Sequence, residues 1–174
     1  MFRNIKAKLF SKYLFYTNTA SCGILLATGD IIEQRIEMRK SHKLHDWRRT
    51  SRMFTVGFCI GPFNHLWYTN LDRWMPGTSR KIILKKLLAD QILAAPIFCF
   101  IFFMGMGLLE KKRLEPIYSE WVQKFPFIYL MDCIFWPPVQ VVNFSYVPTK
   151  YRVMYVNSFT LLWDTFLSFS KHTL

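Results

Sequence analysis

Two runs of nineteen residues, Met53 to Leu71 and Gln91 to Leu109, and two of seventeen, Tyr13 to Gly29 and Cys133 to Thr149, carry no charged side chain. Wound as a helix, roughly 17–25 such residues span the ~30 Å hydrocarbon layer of a bilayer. One run of this kind could be the core helix of a soluble domain. Four in 174 residues leave too little polar surface to coat a soluble globule, so the expected solvent is lipid. Backbone groups that face hydrocarbon must pair within their own segment, which makes the spans helices, and alternating segments of the barrel type are absent. A fifth run, Val153 to Ser170, is interrupted by Asp164 and reads as a further span or as a helix packed along the others. The expected fold is an all-α integral membrane protein, a bundle of four to five transmembrane helices with proline kinks. Residues 1–12 form a basic amphipathic segment ahead of a single multi-span domain, 13–174.

The formal net charge is +12, and the basic residues lie in the connections between the runs. The segment from Arg35 to Arg52 holds Arg39, Lys40, Lys43, Arg48, Arg49 and Arg52, which suits anionic lipid head groups or a nucleic acid or ribonucleoprotein partner. Lys and Arg on the two sides of a five-span arrangement number eleven and twelve, so charge bias leaves the orientation open. The first residues bring Arg3, Lys6, Lys8 and Lys12 with no acid before Asp30, a pattern that suits mitochondrial import or a helix lying on the membrane surface. Four cysteines fall one per uncharged run, without Cys-x-x-Cys or zinc-ligand spacing, and read as small packing residues rather than metal ligands. No metal or other cofactor is expected.

Polar residues inside the runs are the candidate functional groups, because ionisable side chains in hydrocarbon are costly and turn inward. Asp30 and Gln34 lie one turn apart at the end of the first run. Asp90 and Gln91 open the third, before Pro96. Trp136, Gln140 and Asn143 share a helix face beside Pro137 and Pro138, which remove two backbone donors and bend the helix. Asp164 interrupts the last run. Such groups could line a polar path or could fix helix register by hydrogen bonding. Gly57 and Gly61 form a small-residue pair suited to close helix packing or to a homo-oligomer, with Pro62 immediately after as a further kink. His65, Trp67, Tyr68 and Trp74 read as an interfacial aromatic belt. No Gly-x-Ser-x-Gly, phosphate-binding loop or zincin helix is present, and His45 beside Asp46 in a basic loop is poor material for a catalytic base, so no enzyme is expected.

The segment Phe135 to Arg152, "FWPPVQVVNFSYVPTKYR", resembles the pattern W-P-x-x-Q-x-x-N-F-x-x-V-P-x-x-Y-R, followed by W-x-x-[FY]-L-S at Trp163, Phe166, Leu167 and Ser168. Upstream, "GDIIEQ", "GPFNHLWYTNLDR" and "KKLLADQILAAP" follow in matching order. On these residues the chain is identified as a member of the Mpv-seventeen and twenty-two-kilodalton peroxisomal membrane protein family, over roughly Asn18 to His172. "YTNTASCGILLATGD" and "WDTFLSF" look closest to its branch of Mpv-seventeen-like protein two. Pro138 departs from the pattern, which usually has a small residue there. The resemblance implies a non-enzymatic multi-span protein of an organelle membrane, most often the mitochondrial inner membrane, with the peroxisomal membrane as the alternative. It implies a channel or metabolite conduit bearing on mitochondrial DNA maintenance and redox homeostasis, or, for that branch, assembly of the mitochondrial ribosome, with the ribosome and its RNA as partners.

Overall fold

The computed structural model describes residues 13–41, 44–147 and 149–172, without the side chains of residues 40, 41, 149–154 and 157. The basic segment 1–12, Lys43, and the side chains of Lys40 and Arg152 lie outside the described residues. Within them every regular element is a helix: α1 (Leu14–Ser41), α2 (Trp47–Trp74), α3 (Arg80–Ala89), a π-helical turn (Asp90–Ala94), α4 (Ala95–Leu109), α5 (Leu114–Tyr146) and α6 (Thr149–His172). The rod formed by α3, the π turn and α4, Arg80–Leu109, and α5, Leu114–Tyr146, are each long and apolar enough to cross a membrane.

The connections are set by local chemistry. Asp46 caps α2, its Oδ1 accepting from the Arg48 and Arg49 N–H groups at 2.9 and 3.1 Å, which satisfies two of the orphan donors of a helix start. Ser79 caps α3 through the Ile82 N–H, after a turn at Gly77 whose φ of +107° favours glycine. α4 ends in a Schellman motif: the Lys111 N–H donates to Leu108 O and the Lys112 N–H to Gly107 O, both at 3.0 Å. Lys111 occupies the left-handed position there, with φ +57°.

The prolines act differently from one another. α5 remains helical through Pro126, Pro137 and Pro138, and α2 through Pro62. At Pro96 the chain answers one turn earlier. Proline has no N–H, and the five residues before Ala95 widen into a π turn in which the Ala95 N–H donates to Asp90 O. That turn buries both Asp90 and Gln91.

α1 packs most extensively on α2, α6 covers α1, and α4 sits against α2 and α5. Glycines bring the first pair together: a Cβ at Gly57 would lie 2.7 Å from Cys22 O, and one at Gly61 2.6 Å from the Thr19 Cα. The Gly-x-x-x-Gly pair is therefore spent on packing within the chain. The apolar core forms from Leu26, Met53, Val56, Phe102, Phe103, Met106, Ile128 and Leu167. All four cysteines are free thiols.

Candidate functional site

Two clusters of buried polar side chains sit at opposite ends of the helices. The first joins the C-terminal parts of α1 and α6 to the start of α2. Asp30, fully buried, receives the Arg49 Nε at 2.6 Å, the Ser168 hydroxyl at 2.8 Å, the Thr50 hydroxyl at 2.7 Å and the Gln34 amide at 2.8 Å. The remaining Arg49 nitrogens are used as well, one donating to both Glu37 carboxylate oxygens at 2.8 and 3.0 Å, the other to Ser168 Oγ at 2.9 Å. Gln34 ties the loop to the helix, accepting from the Asp46 N–H at 2.7 Å. A planar guanidinium with all three nitrogens engaged is a rigid brace. A cavity of about 300 Å³ opens beside it, lined by Glu37, Asp46, Arg52, Glu110 and His172 among others. At its rim the backbone N–H of Arg49, with that of Arg48 and the guanidinium of Arg52, holds the Asp46 carboxyl below the usual carboxylate range.

Arg49 thus departs from the expected basic surface patch. It is 7% exposed and belongs to the interior, because its helix face meets Asp30 and Glu37. Arg39 and Arg48 are exposed and Arg52 is half-buried, reaching Asp46 at 3.9 Å.

The second cluster gathers at the other end, from the last turns of α2, the π turn and the C-terminal half of α5. The Trp67 Nε1 donates to Asp90 Oδ1 at 3.0 Å, and the Tyr68 hydroxyl also donates to Asp90. The Gln140 amide nitrogen reaches the Tyr68 hydroxyl at 3.1 Å and Asp90 Oδ2 at 3.4 Å, and the Asn143 amide donates to Gln140 Oε1 at 3.0 Å. One step inward, Gln91 is hydrogen-bonded to Asp132. Asp90, Gln140 and Asn143, named separately as candidates from the sequence, are thus joined through Gln140. Trp67 and Tyr68, expected as an interfacial belt, point into the cluster instead, because the last turns of α2 meet the π turn rather than the rim. Sequence reasoning gave no role to Thr50 or Glu37.

Trp136 lies apart from the amides one turn on. Its ring stands edge-on to Trp163 at 6.0 Å between centroids, in an aromatic group with Phe135. Asp164 is buried on α6 at the point where α1 approaches most closely, a Cβ at Gly29 being 2.7 Å from its backbone.

The surroundings of the clusters say which solvent the chain meets. Among the described residues sixteen polar and sixteen apolar residues are buried, while thirty-one large hydrophobic side chains, Tyr16, Ile24, Phe63, Ile134 and Leu162 among them, are exposed. That distribution is inverted relative to a protein in water, where charged residues are almost never fully buried, and it is the one expected in lipid.

With this geometry in view, the comparisons with known proteins are decisive. A sequence model of the Mpv17 / PMP22 family matches residues 107–168, the stretch that carries Gln140, Asn143, Asp164 and Ser168. The chain is 35% identical over 159 residues to PXMP2/4 family protein 4 of Dictyostelium discoideum, covering 90% of this chain and 86% of the relative. It is 34% identical over 156 residues to the mitochondrial inner membrane protein Mpv17 of Homo sapiens, 88% of each chain, and 30% identical over 162 residues to the Mpv17-like protein of Xenopus laevis, 92% of this chain and 78% of that one. No solved structure gives a significant match. The chain belongs to the Mpv17 / PMP22 family and is a membrane protein of the mitochondrial inner membrane.

Proposed function

We propose that this protein is a non-enzymatic conduit for small polar solutes across the inner membrane, captured with its path closed. The observation that carries the reading is the placement of two buried polar clusters at opposite ends of the bundle with an apolar plug between them. Along α2, Thr50 of the first cluster and Tyr68 of the second are eighteen residues apart, about 27 Å at ~1.5 Å per residue, close to the ~30 Å of a hydrocarbon layer. Met53, Val56, Phe102, Phe103 and Met106 fill the interval. In this reading all five long helical rods cross. Their directions alternate, since the ends of α1, α4 and α6 meet the starts of α2 and α5 in one place through Gln34–Asp46, Glu110–Lys112 and Lys171–Glu120 contacts. Gly57 and Gly61 being covered within the chain, a second copy would have to use another face.

The test is solute flux in liposomes holding the purified protein. Truncating the plug at Met53→Ala with Phe103→Ala is expected to raise leakage of small polar solutes well above the unmodified protein. Flux at the level of empty liposomes for both proteins would overturn the conduit.

A second reading is support of mitochondrial ribosome assembly, favoured by the exposed Arg39 and Arg48 at one end of the bundle and by the resemblance to the branch described above. Those side chains suit RNA as well as anionic head groups. Reversing Arg39, Arg48 and Arg52 to Glu should then release the protein from ribosomal particles and lower organelle translation. Unchanged association and translation would end this reading.

A further inference from the structure

The cavity of about 300 Å³ beside the Asp30–Arg49 brace has carboxylates and nitrogen donors in its wall, and only the carboxylates are engaged. Both Glu37 oxygens receive the Arg49 guanidinium, at 2.8 and 3.0 Å. Asp46 Oδ1 receives the two backbone N–H groups of its cap. Glu110 Oε2 faces the Lys112 ammonium at 2.9 Å and that of Lys171 at 3.9 Å. Gln34 in the same wall is bonded at both its amide atoms. Arg52 differs from all of these. It comes no closer to Asp46 than 3.9 Å, too long for a hydrogen bond, and its buried Nε has no hydrogen-bond partner in the protein. His172, at the end of α6, likewise has an Nε2 without a partner. Buried polar atoms are rarely left unpaired, and each such atom needs an explanation. Here the two side chains that carry them line one cavity.

The unused chemistry of the wall is therefore a guanidinium fork and an imidazole that can present an N–H. Both suit an oxygen acceptor, and the fork matches the geometry of a carboxylate or phosphoryl group. An arriving anion meets no bare carboxylate, since Glu37 and Glu110 are each faced by a cation. The connections that carry the cavity also expose Arg39, Arg48, Lys111 and Arg113, and the field of such a cluster draws anions to this end of the molecule. Size sets a further limit. Small-molecule sites run from ~300 to 1,000 Å³, so this cavity lies at the lower end and suits an anion of few heavy atoms rather than a nucleotide or a peptide. Met38 and Leu44 complete the wall and offer apolar surface to the carbon atoms of an organic anion.

We propose that Arg52 and His172 bind a compact anionic group, a carboxylate or a phosphate, in this cavity. Binding stands on the geometry of the wall; its use, to collect anionic solutes at one mouth of the path, rests on the conduit reading.

The experiment is thermal unfolding of the purified full-length protein in phosphatidylcholine nanodiscs, with inorganic phosphate and malonate titrated against chloride at one pH and one ionic strength. A ligand that binds only the folded state raises its stability in a concentration-dependent way. Phosphate is also excluded from protein surfaces in general, but that stabilisation does not saturate and does not depend on Arg52. At least one of the two anions is expected to raise Tm saturably above chloride. Arg52→Gln should lower the apparent affinity at least tenfold and His172→Phe at least threefold, while Arg113→Gln, an exposed cation outside the cavity, leaves it unchanged. Should Arg52→Gln fail to fold, His172→Phe carries the decision. A second set of nanodiscs containing phosphatidylglycerol separates the sources of the anionic group. Stabilisation by this lipid that is lost in the same two variants, without an effect of the soluble anions, would assign the cavity to a lipid head group. Equal Tm in every anion and both lipids, or a rise that survives in Arg52→Gln and His172→Phe, would overturn the site. Saturable stabilisation without flux in the liposome assay would leave the site standing and remove the conduit. Flux without such stabilisation would do the reverse.

Discussion

Arg48 and Arg49 are neighbours in sequence with opposite roles, the first exposed and the second a buried brace holding Asp30, Glu37 and Ser168 together. Removing one partner of a buried ion pair leaves the other charge uncompensated, which costs about 3–5 kcal/mol. Arg49→Met is therefore expected to destabilise the protein by about that amount in thermal or denaturant unfolding, whereas the double variant Arg49→Met with Asp30→Asn should recover a large part of the loss. Losses in the two single variants that simply add in the double variant would show that the pair is not coupled. Asp46 is a different case, because it is exposed and acts as a cap. Its carboxyl lies below its unfolded value in the folded protein, chiefly through the Arg49 backbone N–H. Its stabilisation is then present above the unfolded pKa of about 3.9 and is lost as the pH falls through the lower folded value. Asp46→Asn keeps an acceptor for the cap and should flatten this acid dependence. Asp46→Ala should cost about 0.5–2 kcal/mol at neutral pH as well. Unfolding measured from pH 3 to pH 7 separates the two.

At the scale of elements, the α1–α2 pair and the π turn decide where polar groups meet. A Cβ at Gly61 would come within 2.6 Å of the backbone of Thr19, so a larger side chain can be admitted only by separating the helices. Overpacking of this kind costs about 1–3 kcal/mol. Gly61→Leu is expected to lower stability by that order and to loosen the Thr50, Gln34 and Asp30 contacts, which cross the same helix pair. A variant as stable as the parent would show that α1 does not seat on α2 at this height. Pro96 works through the turn before it. By taking away one donor it favours the wider turn at Asp90–Ala94, and the inserted residue rotates Asp90 and Gln91 toward Trp67 and Gln140.

For the molecule as a whole, the inverted burial means that side chains on the outside meet lipid. Cys59 is exposed and sits between Gly57 and Gly61 in the middle of α2, whereas Cys99 is buried in the core. In proteoliposomes, a variant retaining only Cys59 is expected to resist a water-soluble maleimide and to react fully once unfolded in sodium dodecyl sulfate. Rapid labelling of intact vesicles would place α2 in water and remove it from the spans. A variant retaining only Cys99 should stay unreactive until unfolded in either case.

The uncharged runs by themselves determined that the chain is helical and belongs in lipid, because a backbone in hydrocarbon has no other way to pair its own groups. The signature around Gln140 and Asn143 likewise pointed to the family, and the polar character of Asp90, Gln140 and Asn143 within apolar runs marked each as a candidate. Partnership was left to the tertiary structure. Helical periodicity places residues three and four apart on one face but does not say which neighbour that face meets, so nothing local separated Arg49 from Arg48 or marked Tyr68 as an interior residue. The Gly57–Gly61 pair offered a close contact without saying whose, and the approach of Thr19 answered it. The π turn belongs with these. One extra residue per turn shifts the face of Asp90 and Gln91, and only the packing of α2 against α5 shows what that shift brings within reach.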